Sequence, residues 1–453
     1  MNKLSCFKAY DIRGKIPEEL NEDLAYKIGL AYCQLLKPNT VIVGYDIRLE
    51  SIPLSRALVK GITDAGSNVI NIGLCGTEEV YFHCFNNHSG SIGGGIMITA
   101  SHNPKGYNGM KLVGKGAKPI SLSDDLQKIH DIILQNKFIT NSTKGSESLN
   151  FDKSSYISHL CSYINPSNLR PLKIVVNPGN GPAGLIIKLL EEYLPFQFIY
   201  LNNEPDGNFP NGVPNPMIVE NREITSQAVR QHRADLGIAW DGDFDRCFVF
   251  DENGNFIEGY YIVGMLAESF LKKHPGEKIV HDPRLIWNTL DVVEQYKGIA
   301  IESKSGHSFI KDVMRKQNAI YGGEMSAHHY FREFGYCDSG MIPWLLISEL
   351  VSTSGFNLSA MINSQINKFP CSGEINFVVD DPAAIIEKVE KHYTKQVILV
   401  NKIDGISMNF ENWRMNLRMS NTEPLIRLNI ETRGNAQLVG KLIEQIKMLI
   451  TAL

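Results

Sequence analysis

At 453 residues the chain exceeds one ordinary hydrophobic core, and at roughly 100–200 residues per domain it implies about three or four domains. A hydrophobic share of 43% beside 21% charged residues, with no window of the roughly 20 apolar residues that a bilayer span needs, predicts a globular protein that stays in water. A net charge of −4 excludes the basic field of a nucleic-acid binder, and eight scattered cysteines without C-x-x-C or Cys/His spacing exclude a zinc site or a disulfide framework. The segment from Met1 to Tyr10 lacks a signal-peptide apolar core, so the expected compartment is cytoplasmic. The expected partners are small molecules, with no nucleic acid or membrane, and the chain is expected as a monomer or homodimer.

Three stretches share one grammar, an apolar β-branched run, a polar turn and a helical pattern, as when a parallel strand feeds its crossover helix. The first is V-I-V-G-Y-D-I-R from Val41 with a helix over Ser51 to Ala65. The second is K-I-V-V-N-P-G-N-G from Lys173 with Leu185 to Tyr193, and the third K-I-V-H-D-P-R from Lys278 with Ile286 to Tyr296. Their spacing, about 100–130 residues, suits three copies of one α/β domain. Seams fall in the polar stretch from Asn136 to Ser148 and at the turn from Asp251 to Gly259, where Asn253-Gly254 marks a hairpin. After Phe369-Pro370 the pattern becomes strand, helix, strand, strand, helix, a smaller C-terminal α+β domain with an antiparallel sheet. The expected division is 1–147, 148–254, 255–367 and 368–453.

Four motifs carry chemistry. In T-A-S-H-N-P-K-G-Y-N-G-M-K, Ser101 follows an apolar strand and enters a turn rich in Asn, Gly and Pro. Alone it reads as a turn or capping residue, but His102 and Lys111 can supply proton transfer and charge nearby. In D-G-D-F-D-R, Asp241, Asp243 and Asp245 alternate on a loop between strand-like runs. Three such carboxylates repel unless a cation neutralises them, and their hard oxygens point to Mg²⁺, with a further ligand oxygen from a phosphate on Ser101. An EF-hand competes, with Glu252 at its twelfth position, but Arg246 stands where that loop needs Gly and the flanks read as strands. An aspartyl-phosphate enzyme with Asp241 as nucleophile also competes, as does a catalytically silent sugar-phosphate binder. In Y-G-G-E-M-S-A-H-H-Y-F, Glu324, Ser326 and His328 alternate as on an extended loop suited to sugar hydroxyls, and in L-R-M-S-N-T-E-P-L-I-R the donors Arg418, Ser420, Asn421, Thr422 and Arg427 form a candidate phosphate cradle.

T-A-S-H-N-P, D-G-D-F-D-R, G-E-M-S-A-H and R-M-S-N-T-E-P, in this order over nearly the whole chain, resemble the α-D-phosphohexomutase family. The resemblance implies three similar α/β domains with mixed sheets and a smaller fourth domain around a central active-site cleft, each giving one loop. It implies Ser101 as phosphoserine and a metal ligand beside the three aspartates, Glu324 and Ser326 in the sugar loop, and Arg418 to Thr422 in the phosphate loop. It adds Tyr10 and Arg13 from A-Y-D-I-R-G, and Arg246, Arg284, Gly306 and His307, as further contacts. The implied reaction moves a phosphoryl group between the 6- and 1-positions of a hexose through a hexose 1,6-bisphosphate, which must turn end over end. Met325 and Asn421 depart from the phosphoglucosamine branch, and the wording is most similar to the bacterial phosphomannomutase branch that feeds GDP-mannose to surface polysaccharide. A phosphoglucomutase or dual-specificity mutase is the alternative. Phe244 stands where the family often has Gly, which should alter packing more than metal binding, and a hinge is expected near Lys368 to Ser372.

Overall fold

The computed structural model describes residues 4–88, 90–121, 125–419 and 425–451. They form two compact units, one running up to Phe256 together with His328–Phe356, the other comprising Ile257–Ala327 and the chain from Asn357.

The first unit holds two mixed sheets. In spatial order the larger runs Ile12–Lys15, Tyr107–Gly114, Ile92–Ile98, Thr40–Tyr45, Asn68–Leu74 and Glu147–Leu149. The last four are parallel to one another, and Tyr107–Gly114 runs antiparallel to both of its neighbours. Thr40–Tyr45 is apolar, β-branched and buried along nearly its whole length, as a strand covered on both faces must be. Helix Glu22–Leu36 covers this sheet. The Asn21 side chain accepts from Leu24 N at its start, Glu22 and Asp23 complement its dipole, and left-handed Lys37 ends it. Its Ile28 joins Val41, Val43, Leu58, Ile96 and Ile98 in the core.

The second sheet places Cys247–Phe250, Leu236–Trp240, Lys173–Asn177 and Gln197–Tyr200 side by side, with only the first pair antiparallel. Helix Ala183–Leu190 begins just before the Leu185 expected, because Pro182 at its cap already has helical φ. Asn253-Gly254 does form the expected turn: Asp251 Oδ1 accepts from the backbone of Asn253 and Asn255, and Gly254 has φ +76°. Helix Met341–Ser354 is apolar because it is buried, and no single helix among the described residues is long and apolar enough to cross a membrane.

In the second unit Lys278–His281 lies parallel to Ile299–Glu302 and to Tyr321–Gly323, the third strand-turn-helix copy, followed by helix Trp287–Gln295. The C-terminal sheet is wholly antiparallel, in the order Ile375–Val378, Leu425–Thr432, Trp413–Met419, Ile406–Asn409 and Leu399–Asn401. Val389 from helix Pro382–Tyr393 and Leu442 and Ile446 from helix Ala436–Thr451 pack against Met408, Leu417 and Leu428 of that sheet.

Candidate functional site

Ser101 lies three residues beyond strand Ile92–Ile98, at φ +50°, a left-handed conformation that costs an L-residue energy and is kept only where its surroundings hold it. Its Oγ donates to Asp241 Oδ2 at 2.8 Å and lies 3.0 Å from His102 Nδ1. Asp241, Asp243 and Asp245 occupy the tight connection between antiparallel strands Leu236–Trp240 and Cys247–Phe250. Gly242 is needed there, since an added Cβ would stand 2.5 Å from the Ser101 carbonyl oxygen.

The three aspartates are buried, and each can offer an oxygen within 4.8 Å of the others. One oxygen of each is already engaged. Asp241 Oδ2 takes Ser101 and Arg246 Nε at 2.8 Å each; Asp243 Oδ2 takes Lys111 Nζ at 2.6 Å and Thr77 Oγ1 at 2.5 Å; Asp245 Oδ2 takes Lys111. The three Oδ1 atoms are buried, and none of them accepts a hydrogen bond from the protein. Asp245 Oδ1 has His328 Nε2 at 3.5 Å. Three buried aspartates that can each bring one oxygen within 4.8 Å of the others are a donor set for a hard divalent cation, so the residues fit a metal ion. The EF-hand is excluded by the strands on either side.

Burial works against the charge on Lys111, yet Asp243 and Asp245 outweigh it and hold the ammonium above its ordinary range. Burial and then Arg246 and Arg13 push the His102 imidazole well below its usual value, which leaves it neutral. Arg246 also contacts His102. Arg13 donates to Asn103 Oδ1 at 2.6 Å and to Asp11 at 2.7 Å, so it steadies the turn that follows Ser101. Tyr10 is half-buried on the bend before this arginine.

Several supporting groups escaped the sequence reading. Glu78 accepts from Tyr156 at 2.5 Å, Ser339 at 2.8 Å and Gly340 N at 2.5 Å, while the Gly340 carbonyl takes Trp240 Nε1 at 2.9 Å. Gly340 thus braces the aspartate loop; a Cβ on it would stand 2.4 Å from the Phe244 carbonyl oxygen. Phe244 is fully buried at φ +45°, the backbone state that favours glycine, and its ring occupies the space beside Gly76.

In the second unit Arg284 is clamped by Asp282, with Nε to Oδ1 at 3.0 Å and Nη2 to Oδ2 at 2.9 Å. It reaches Glu324 Oε1 at 3.3 Å and Ser326 Oγ at 3.2 Å, and Glu324 also accepts from Gly306 N at 2.9 Å. Arg284, Glu324, Ser326 and Gly306 therefore meet, with His307 beginning the helix His307–Gln317. His328 belongs to the first unit and faces Asp245, just past the turn at Ala327, whose φ is +70°. Arg418 and Arg427 are directly opposed on neighbouring strands. Their repulsion is relieved by Glu374, unforeseen from sequence, at 3.0 Å and 3.3 Å. Burial opposes the charge on Glu374, but Arg418, Arg427 and Arg284 outweigh it and hold its carboxyl below the ordinary range. Ser420, Asn421 and Thr422 lie outside the described residues.

Profiles described as phosphoglucomutase/phosphomannomutase domains I, II, III and IV match residues 5–140, 154–254, 258–369 and 374–448. A phosphohexose mutase of Xanthomonas campestris pv. campestris is 56% identical over 447 residues, covering 99% of each chain. A phosphomannomutase of Escherichia coli strain K12 is 54% identical over 447 residues, covering 97% of each. A crystal structure of a phosphoglucomutase/phosphomannomutase family protein from Burkholderia thailandensis superposes with a TM-score of 0.89 at 30% identity, covering 100% of this chain and 98% of that one. The chain is a member of the phosphoglucomutase/phosphomannomutase, or α-D-phosphohexomutase, family, with three α/β domains and a C-terminal domain.

Proposed function

We propose that the chain is a phosphomannomutase that interconverts mannose 6-phosphate and mannose 1-phosphate through a phosphoserine at Ser101. The observation that carries this is the Ser101 hydroxyl, held 2.8 Å from Asp241 beside the three buried aspartates whose oxygens could hold a metal ion. Whole-length identity of 54–56% to relatives named as phosphomannomutase and phosphohexose mutase supports the substrate.

Asp241, Asp243 and Asp245 would hold Mg²⁺, which supplies charge neutralisation for a phosphoryl group in transfer. Ser101 carries the group and yields it to the free hydroxyl of a hexose phosphate. The product is a hexose 1,6-bisphosphate, which returns its other phosphate to Ser101 after turning over and also serves to prime the enzyme. Arg13 and Arg246 steady the transferring group, and Lys111 or His102, whose Nδ1 lies 3.0 Å from Ser101 Oγ, handles the proton. Glu324 and Ser326 take sugar hydroxyls. Arg418 and Arg427, with Ser420, Asn421 and Thr422, take the phosphate that stays in place. Tyr10, Arg13, Arg284, Gly306, His307 and His328 complete the substrate contacts in this reading. The soluble substrate suits a cytoplasmic enzyme, monomeric or a homodimer.

Hydroxyls 3 and 4 do not report carbon 2, so the assay compares mannose 1-phosphate with glucose 1-phosphate at equal concentrations. A higher kcat/KM for the mannose ester supports this reading, and a higher value for the glucose ester replaces it with a phosphoglucomutase.

A further inference from the structure

Arg48 belongs to none of the four motifs, yet it is buried in the first unit with 3% exposure, three residues beyond strand Thr40–Tyr45. Its Nη2 donates to the carbonyl oxygens of Ser101 at 2.8 Å and Asn103 at 2.6 Å, and its Nη1 to those of Pro104 at 3.1 Å and Tyr107 at 2.9 Å. One guanidinium therefore gathers four backbone carbonyls of the turn that begins at Ser101. The fork is itself fixed. Its Nε lies 3.4 Å from Asp46 Oδ2, and Asp46 Oδ1 accepts from Ser51 Oγ at 2.6 Å and from Arg48 N at 3.0 Å. The Phe209 ring sits 5.3 Å from the guanidinium carbon.

Left-handed Ser101 needs such an external hold, because its backbone conformation is not one an L-residue prefers. A planar fork can serve several acceptors in fixed directions, whereas a lysine ammonium is a single point on a flexible stem.

We propose that Arg48 is a positioning residue that holds the Ser101 turn in its strained form, so that Ser101 Oγ is aimed at Asp241. This rests on the reading of Ser101 as the phosphoryl carrier. Arg48 touches no reacting atom, so its loss leaves sugar recognition by Glu324 and Ser326 intact and slows transfer alone.

The test is Arg48→Lys in the full-length protein, with kcat and KM for mannose 1-phosphate, and intact-mass measurement of Ser101 phosphorylation after hexose 1,6-bisphosphate. The expected result is a kcat lowered about 100-fold, since misplacement of a reacting group by about 1 Å costs that much, with KM within about threefold of the parent and slow phosphorylation. Asp46→Asn, which weakens the brace on the guanidinium along with the Ser51 and Thr99 contacts of that carboxylate, should give a smaller fall in kcat with the same KM. Should Arg48→Lys not fold, Asp46→Asn alone decides. A parental kcat in the folded variants overturns the proposal. Ser101→Ala separates the two readings: its inactivity beside a fully active Arg48→Lys sinks only the role of Arg48, whereas an active Ser101→Ala sinks the phosphoserine.

Discussion

Arg414 and Glu431 form a fully buried ion pair at 2.9 Å inside the second unit. Arg414 also donates to the carbonyls of Pro283 and Arg284 at 2.8 Å each, while Glu431 accepts from Ile286 N at 2.7 Å, from Trp287 N at 3.2 Å and from Tyr260. The C-terminal sheet is thereby tied to the loop that carries Arg284. Arg414→Met fills similar space but leaves Glu431 charged and buried. Losing one partner of such a pair costs about 3–5 kcal/mol, and the donors that Glu431 retains place the expected loss near 3 kcal/mol. Urea unfolding followed by tryptophan fluorescence reads this, since Trp287 and Trp413 both lie in the second unit. Adding Glu431→Gln to Arg414→Met removes the stranded charge and should restore most of the loss, because replacing both members of a buried pair is often close to neutral. A loss below about 1 kcal/mol for Arg414→Met, or no recovery in the double variant, refutes the reasoning.

Gly242→Ala places a methyl group against the Ser101 carbonyl, and overpacking of this kind costs about 1–3 kcal/mol; transfer should fall by tenfold or more in a steady-state assay while circular dichroism stays native. Burial, followed by Lys153, lowers His83 from 6.5 to about 4. Between these values the unfolded chain binds a proton that the folded one refuses, so stability present above pH 6.5 is lost as pH falls toward 4, and Asn at this position should flatten that slope in thermal melts. Mg²⁺ at about 100 times its Kd should stabilise the protein by roughly 2.7 kcal/mol if it binds only the folded state. Asp243→Asn should abolish most of that shift, read by melting with and without the ion.

Where chemistry was compressed into a few residues, the sequence was readable. The spacing of Asp241, Asp243 and Asp245 on a two-strand connection already implies one cation, and the structure brings their oxygens within 4.8 Å of one another. Ser101 was visible through its strand and turn. Arg48, Thr77, Glu78 and Arg414 were not, because their partners are dozens to hundreds of residues away and a lone charged residue after a strand reads as surface. Strands Leu399–Asn401 and Ile406–Asn409 are absent from the sequence pattern for another reason: at three and four residues each they are too short to display a clear alternation. The hinge expected at Lys368 to Ser372 meets a segment bonded on both sides: Pro370 O accepts from Thr432 N at 2.9 Å, and Phe369 O from the Tyr261 hydroxyl at 2.8 Å. A Phe-Pro pair marks a change of domain in the sequence, but only the packing reveals whether the chain is free to bend there.

The most direct test is to map the phosphorylated peptide by mass spectrometry after incubation with hexose 1,6-bisphosphate, with a hydroxylamine-treated aliquot alongside. The account predicts a hydroxylamine-stable phosphoryl group on Ser101. A labile group on Asp241 would contradict it and make the aspartate the nucleophile.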